Sequence, residues 1–125
     1  MSIVLTHLEQ IRREHPGAAA ELRSDSTAVV TVPAVALPAG WNLTSTAVWF
    51  LAPAGYPMAP PDCFWAEDGL RLATGALPMN AQVQVPPFGG GSRLWFSWHV
   101  SQWNGSRDNL RSFFRIIMDR LARAV

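Results

Sequence analysis

Apolar residues recur at helical spacing at Ile3, Val4, Leu8 and Ile11, and Glu9 and Arg13 stand one turn apart among the polar positions. Pro16-Gly17 stops the segment, so an amphipathic first helix is predicted. The period then changes. Residues Ala20 to Arg23 and Thr27 to Val35 are rich in β-branched and small apolar types, and Ser24-Asp25-Ser26 between them supplies turn chemistry, which predicts a hairpin. After the break at Leu37-Pro38-Ala39-Gly40-Trp41-Asn42, the run Ala47-Val48-Trp49-Phe50-Leu51 suits a third strand buried on both faces. Pro53 to Pro61 cannot donate a regular hydrogen-bond ladder and is expected to be a rigid, extended connection. Cys63-Phe64-Trp65 follows as a short fourth strand. Glu67 to Gly91 has weak periodicity, several prolines and the run Gly89-Gly90-Gly91; a long connection of this kind is where an active surface is expected. Leu110, Phe113, Phe114, Ile117 and Leu121 restore the helical period, with Arg111, Arg115, Asp119 and Arg123 off that face and Ser106 or Asp108 as the expected cap.

A helix, a four-strand antiparallel meander, an irregular segment and a closing helix make an α+β domain with helices on one sheet face. The chain of 125 residues fits one such domain, 1–125, with a single modest core. Hydrophobic residues are 49% and charged residues 15%, the balance of a folded protein. A formal net charge of +1 gives no strong field, so neither nucleic acid nor an anionic membrane is an expected partner. No stretch reaches ~18 apolar residues, and the N-terminus lacks the make-up of an export signal, so a cytoplasmic location is expected. The one cysteine, Cys63, excludes an internal disulfide and a cysteine-rich zinc site; no metal or cofactor is expected. His7 and His15 have no metal-ligand partners in the sequence. All ten basic residues are arginine, which fits a genome rich in G and C as readily as a protein that handles lysine-directed transfer.

The order of these parts, with Tyr56-Pro57 and Pro60-Pro61 closing the loop after the third strand, resembles the ubiquitin-conjugating enzyme fold, in which such a segment braces the platform beneath the active site. Ser101-Gln102-Trp103 resembles the triplet that follows the catalytic cysteine in many of those enzymes. A closer resemblance is to a bacterial branch, prokaryotic ubiquitin-conjugating-enzyme-like family E. It rests on Leu37-Pro38 with Gly40-Trp41-Asn42, Gly55 to Asp62, Leu70-Arg71-Leu72, and Phe96-Ser97-Trp98-His99 with Trp103, Asp108 and Leu110. The resemblance implies a ubiquitin-like modifier, an activating enzyme and a deubiquitinase-type metalloprotease as partners, and transfer of the modifier's C-terminal carboxyl to an acceptor. It also implies Tyr56, Pro57, Pro60, Pro61, Trp98 and Trp103 as the binding platform. Yet counting back from Ser101 puts the usual cysteine position at Trp95, and Cys63, between apolar neighbours on a strand, reads as a small buried hydrophobe.

What remains for chemistry is Ser97 and His99. Two residues apart in an extended segment, they point to one face, and a hydroxyl beside an imidazole is the minimum for an activated oxygen nucleophile. His99 has the alternative role of direct acid-base help to an incoming amine. Asp108 is the expected orienting carboxylate, reaching from the start of the last helix. The bland alternative makes His99 a hydrogen-bonded platform residue and Ser97 a local cap. Ser92, beside the glycine run, is a second hydroxyl candidate. Three functions follow: noncysteine transfer of the modifier, a noncatalytic adaptor that binds modifier or activating enzyme, and a free-standing serine hydrolase. The last is disfavoured because no nucleophile elbow is present.

Overall fold

The computed structural model describes residues 2–125. Helix α1 spans Ile3–Arg12 and is capped by the Ser2 side chain, which accepts from the Leu5 amide. Val4, Leu8 and Ile11 form its buried stripe. Glu9 pairs with Arg12 at 3.4 Å, one residue short of the expected Arg13. Strands β1 (Ala19–Leu22), β2 (Ala28–Ala36), β3 (Ser45–Ala52), β4 (Phe64–Ala66), β5 (Ala81–Gln84) and β6 (Arg93–Phe96) follow, then helix α2 (Leu110–Leu121).

The sheet has six strands rather than four, all antiparallel, in the order β1-β2-β3-β4-β6-β5. One of the two extra strands comes from the stretch expected to be irregular, β5, which carries Gln82 and Gln84 on a short polar segment; the other, β6, follows that stretch directly and inserts between β4 and β5. A meander therefore gives way to a crossover exactly where the fourth strand ends its run of sequential neighbours; Phe64 pairs with Phe96, and Trp65 with Trp95.

Strand periodicity sorts the sheet into two faces. Val32, Val48, Ala66 and Leu94 form one row across β2, β3, β4 and β6, all buried, and Phe50 of the same face meets Phe113 of α2 with ring centroids 5.3 Å apart. Both helices cover this face and contact each other. The neighbouring row, Thr31, Trp49, Trp65 and Trp95, lies on the opposite face. There Arg93 stacks over Trp49 at 4.2 Å and Phe88 meets Trp65 edge-on at 5.3 Å. The third strand is thus buried toward the helices and half-buried on the other side, because side chains rather than a second layer shield its outer face.

Asn109, not Ser106 or Asp108, caps α2. Its side chain accepts from the Arg111 and Ser112 amides while the Ser112 hydroxyl accepts from the Asn109 amide, a reciprocal capping box. The other end of α2 is pinned by Trp41, whose Nε1 donates to Leu121 O at 2.9 Å. Gly40 makes room for this approach: a Cβ there would sit 2.6 Å from that of Ala124, at a φ of +106°. Arg120 is buried and charged, with Met79, Arg123 and Val125 carbonyls accepting from its guanidinium. Among the described residues no helix is long and apolar enough to cross a membrane.

Candidate functional site

The proline-rich segment between β3 and β4 behaves as a bracket with two differently built ends. At its start Tyr56 is buried, and its hydroxyl accepts from the Leu110 amide at 2.7 Å, satisfying a donor that the first turn of α2 leaves without a helical partner. The phenol proton goes to His7 Nδ1 at 2.5 Å, so one side chain ties the bracket to both helices. Burial pushes the Tyr56 phenol up to about 12 and pushes the His7 imidazole down, since each charged form would lose its water. The middle of the bracket is clamped from the other side. Trp103 Nε1 donates to Pro57 O at 2.8 Å, and Gly105 lies so close that a Cβ would meet Met58 Cα and Pro57 O at 2.7 Å.

At its far end the bracket delivers Asp62 and Cys63 to the end of β6. The Cys63 amide donates to Trp98 O at 2.9 Å, extending the β4–β6 pairing past its last regular residues. Consecutive strand residues ordinarily point to opposite faces. Cys63 breaks this rule with a φ of +61°, a left-handed conformation rare for a residue with a Cβ, and both Asp62 and Cys63 turn toward His99.

Four side chains converge there. Asp62 Oδ1 lies 2.5 Å from His99 Nδ1, and His99 Nε2 lies 3.5 Å from Ser97 Oγ. Cys63 Sγ approaches His99 Nδ1 from a third direction at 4.0 Å. A carboxylate only accepts, so Nδ1 carries a proton, and in the neutral imidazole Nε2 then offers its lone pair to the hydroxyl. The corner is open: the His99 and Asp62 side chains are 64% and 63% exposed. Cys63 is 6% exposed, and burial, reinforced by the Asp62 charge, pushes its thiol up, away from the nucleophilic thiolate.

The expected hydroxyl and imidazole are therefore neighbours, but the carboxylate beside them is Asp62. Asp108 instead accepts from the Asn104 amide at 2.9 Å and shapes the turn before α2. Ser92 stands at the opposite end of β6 from His99, beside a glycine loop whose Gly90 carbonyl accepts from Arg93. Trp95 lies on the outer sheet face, within the tryptophan row. Trp98 is half-buried against the guanidinium groups of Arg120 and Arg123, at 5.4 and 5.7 Å. Pro61 is buried and Pro57 and Pro60 half-buried, so the large side chain of the bracket that stands out into solvent is Met58, 70% exposed.

The model of prokaryotic E2 family E matches residues 9–124. The chain belongs to that family. It is thus a ubiquitin-conjugating-type protein, and the match takes in the end of α1, the six strands, the whole of α2 and the Asp62–His99–Ser97 corner. No curated protein and no solved structure matches the chain.

Asp62 was missed by sequence reasoning because its partner is 37 residues away. One signal pointed to it: an acidic residue directly after Pro60-Pro61, at the mouth of a strand. Without the β4–β6 register, nothing in the sequence says that this mouth opens onto His99.

Proposed function

We propose that this protein accepts the C-terminal acyl group of a ubiquitin-like modifier on Ser97 and passes it to an acceptor amine. The observation that carries the reading is the hydrogen-bonded line from Asp62 through His99 to Ser97. Asp62 holds the imidazole in the tautomer that can receive a proton, and His99 Nε2 takes the proton of Ser97 Oγ as it attacks. From a thioester on the activating enzyme, the new bond is Ser97 O–C(acyl). The bond that breaks is C–S, and the proton on His99 goes to the leaving thiolate. Aminolysis then reverses the roles: the amine nitrogen attacks, His99 accepts its proton, and that proton returns to Ser97 as the ester opens. The exposed corner suits a reaction whose substrates are two other proteins.

The partners implied are the modifier, its activating enzyme and an acceptor, with a deubiquitinase-type metalloprotease as the enzyme that would reverse the modification. Mixing the protein with modifier, activating enzyme and ATP should give a covalent adduct that survives thiol and is released by hydroxylamine or alkali. An adduct fully retained in Ser97→Ala refutes the assignment. One observation favours a second reading: the sole cysteine is buried and its thiol is pushed up, so no ordinary thioester carrier is at hand. A noncatalytic adaptor would bind modifier or activating enzyme and form no adduct at all.

A further inference from the structure

The acyl-transfer reading uses Ser97, His99 and Asp62 and leaves Cys63 without a task, although its sulfur faces the same imidazole nitrogen. Asp62, Cys63 and His99 each place one potential ligand atom so that all three lie within 4.8 Å of one another. A tetrahedral ion with ligand bonds of ~2.0–2.3 Å needs ligand-to-ligand edges of ~3.3–3.8 Å. The Sγ–Nδ1 distance of 4.0 Å and the Oδ1–Nδ1 distance of 2.5 Å bracket that value, so a small opening of the Asp62–His99 contact admits an ion. The donor set is one oxygen, one nitrogen and one sulfur. Thiolate with imidazole disfavours magnesium and calcium and suits zinc and its neighbours in the first transition row, with the fourth position open to water.

Two features make this more than proximity. Asp62 and Cys63 would point apart in a regular strand, and the left-handed Cys63 backbone is what brings both to His99. A carboxylate beside a thiol is also a repulsive pair once the thiol ionises, and a cation relieves that repulsion. We infer that Asp62, Cys63 and His99 form a three-ligand site for a zinc-type divalent ion, and that the ion holds Ser97 inactive. On binding, the ion displaces the thiol proton and takes His99 Nδ1. The imidazole proton must then sit on Nε2, which donates to Ser97 Oγ and can no longer accept from it.

The site itself is independent of the acyl-transfer reading; its inhibitory role rests on that reading, and the test separates the two. Cobalt(II) added to the whole protein should bind at one equivalent with a thiolate-to-cobalt charge-transfer band, and zinc should displace it. Cys63→Ser should lose the band, and His99→Gln, at an exposed position, should weaken binding at least about tenfold, as loss of even an outer partner of a ligand does. Absence of the band in the wild type, or an unchanged cobalt midpoint in His99→Gln, overturns the inference whatever the adduct assay gives. In that assay zinc should slow adduct formation by the wild type at least about tenfold and leave Cys63→Ser at its ion-free rate. Equal zinc inhibition of both overturns the inhibitory role. Cobalt binding without any adduct leaves the metal site standing and refutes the acyl-transfer reading instead.

Discussion

The bracket carries a histidine at each end, and the two histidines differ in almost everything except the shortness of their contacts. His7 meets Tyr56 at 2.5 Å in a part-buried joint between helices; His99 meets Asp62 at 2.5 Å on an open corner. At the first end the partner is a neutral phenol, already committed to the Leu110 amide, and the imidazole is discouraged from charging. The joint holds the bracket still. At the second end the partner is a carboxylate, the second imidazole nitrogen faces a hydroxyl, and water and protein substrates have access. One end fixes geometry so that the other can do chemistry, and substitution should separate the two roles.

The largest separation is expected between His99→Gln and His7→Gln. Removing the base at the open end should lower the rate of adduct formation by about 10²–10⁴-fold, with the thermal midpoint unmoved because the side chain is mostly solvated. His7→Gln should do the reverse: a loss of about 1 kcal/mol in denaturant unfolding, from one hydrogen bond, with the adduct rate per folded molecule retained. If His7→Gln also abolishes transfer without unfolding the protein, the division between a structural and a chemical end is wrong.

Asp62→Asn sharpens the same contrast with a smaller effect. The amide can donate to Nδ1 and so favours the tautomer with its proton on Nε2, which opposes proton transfer from Ser97. Because solvent reaches this corner and can partly replace the carboxylate, a drop of about tenfold to a hundredfold is expected rather than the ~10⁴ seen when a buried triad carboxylate is replaced. Asp108→Asn at the turn before α2 should leave the rate within about twofold, since an asparagine oxygen can still accept from the Asn104 amide. Single-turnover rates of the two variants decide between these carboxylates.

The choice between Asp62 and Asp108 shows where the sequence stopped being readable. Helix α2 was legible because five apolar residues repeat at helical spacing on a face that packs against Phe50 and its neighbours. Strands β2 and β3 were legible because β-branched and aromatic residues run together. Strands β5 and β6 were not: Ala81–Gln84 is short and half polar, and Arg93–Phe96 pairs with its predecessor β5 on one side and with β4, two strands back in the chain, on the other. Ser97 and His99 could be paired by local spacing alone. Asp62 and Cys63 could not, because their place depends on the β4–β6 register and on a left-handed residue with no glycine to announce it. Ser106, Asp108 and Asn109 are all plausible caps by type; only the backbone path selects Asn109.

The clamp in the middle of the bracket gives a third way to break the comparison. Gly105→Ala would push a methyl group to within 2.7 Å of backbone atoms of Pro57 and Met58, which cannot yield as a flexible side-chain tip would. Overpacking of this kind costs about 1–3 kcal/mol, and it should also disturb the Trp103 Nε1 bond to Pro57 O. Tryptophan fluorescence and the denaturation midpoint should shift together. A midpoint within about 0.5 kcal/mol of wild type would mean that the bracket is not held from this side.

The last effect is the most specific to the buried end, because it depends on pH. With the Tyr56 phenol raised to about 12 from an ordinary 10.0, the unfolded chain loses this proton before the folded one does. The stabilisation is complete below pH 10 and is lost as the pH climbs toward 12. His7 acts in the opposite direction. Its depressed imidazole contributes stability above the ordinary value of 6.5, which is lost as acid is added and the unfolded chain takes up the proton first. Tyr56→Phe removes the phenol, so stability should fall at neutral pH by about 1–3 kcal/mol, the cost of leaving the Leu110 amide without its acceptor. The slope contributed between pH 10 and 12 should vanish. Denaturant midpoints should therefore converge as pH rises, the wild type falling toward the variant across that range. Parallel curves would show that the phenol titrates alike in both states, and that Tyr56 braces the bracket by packing alone.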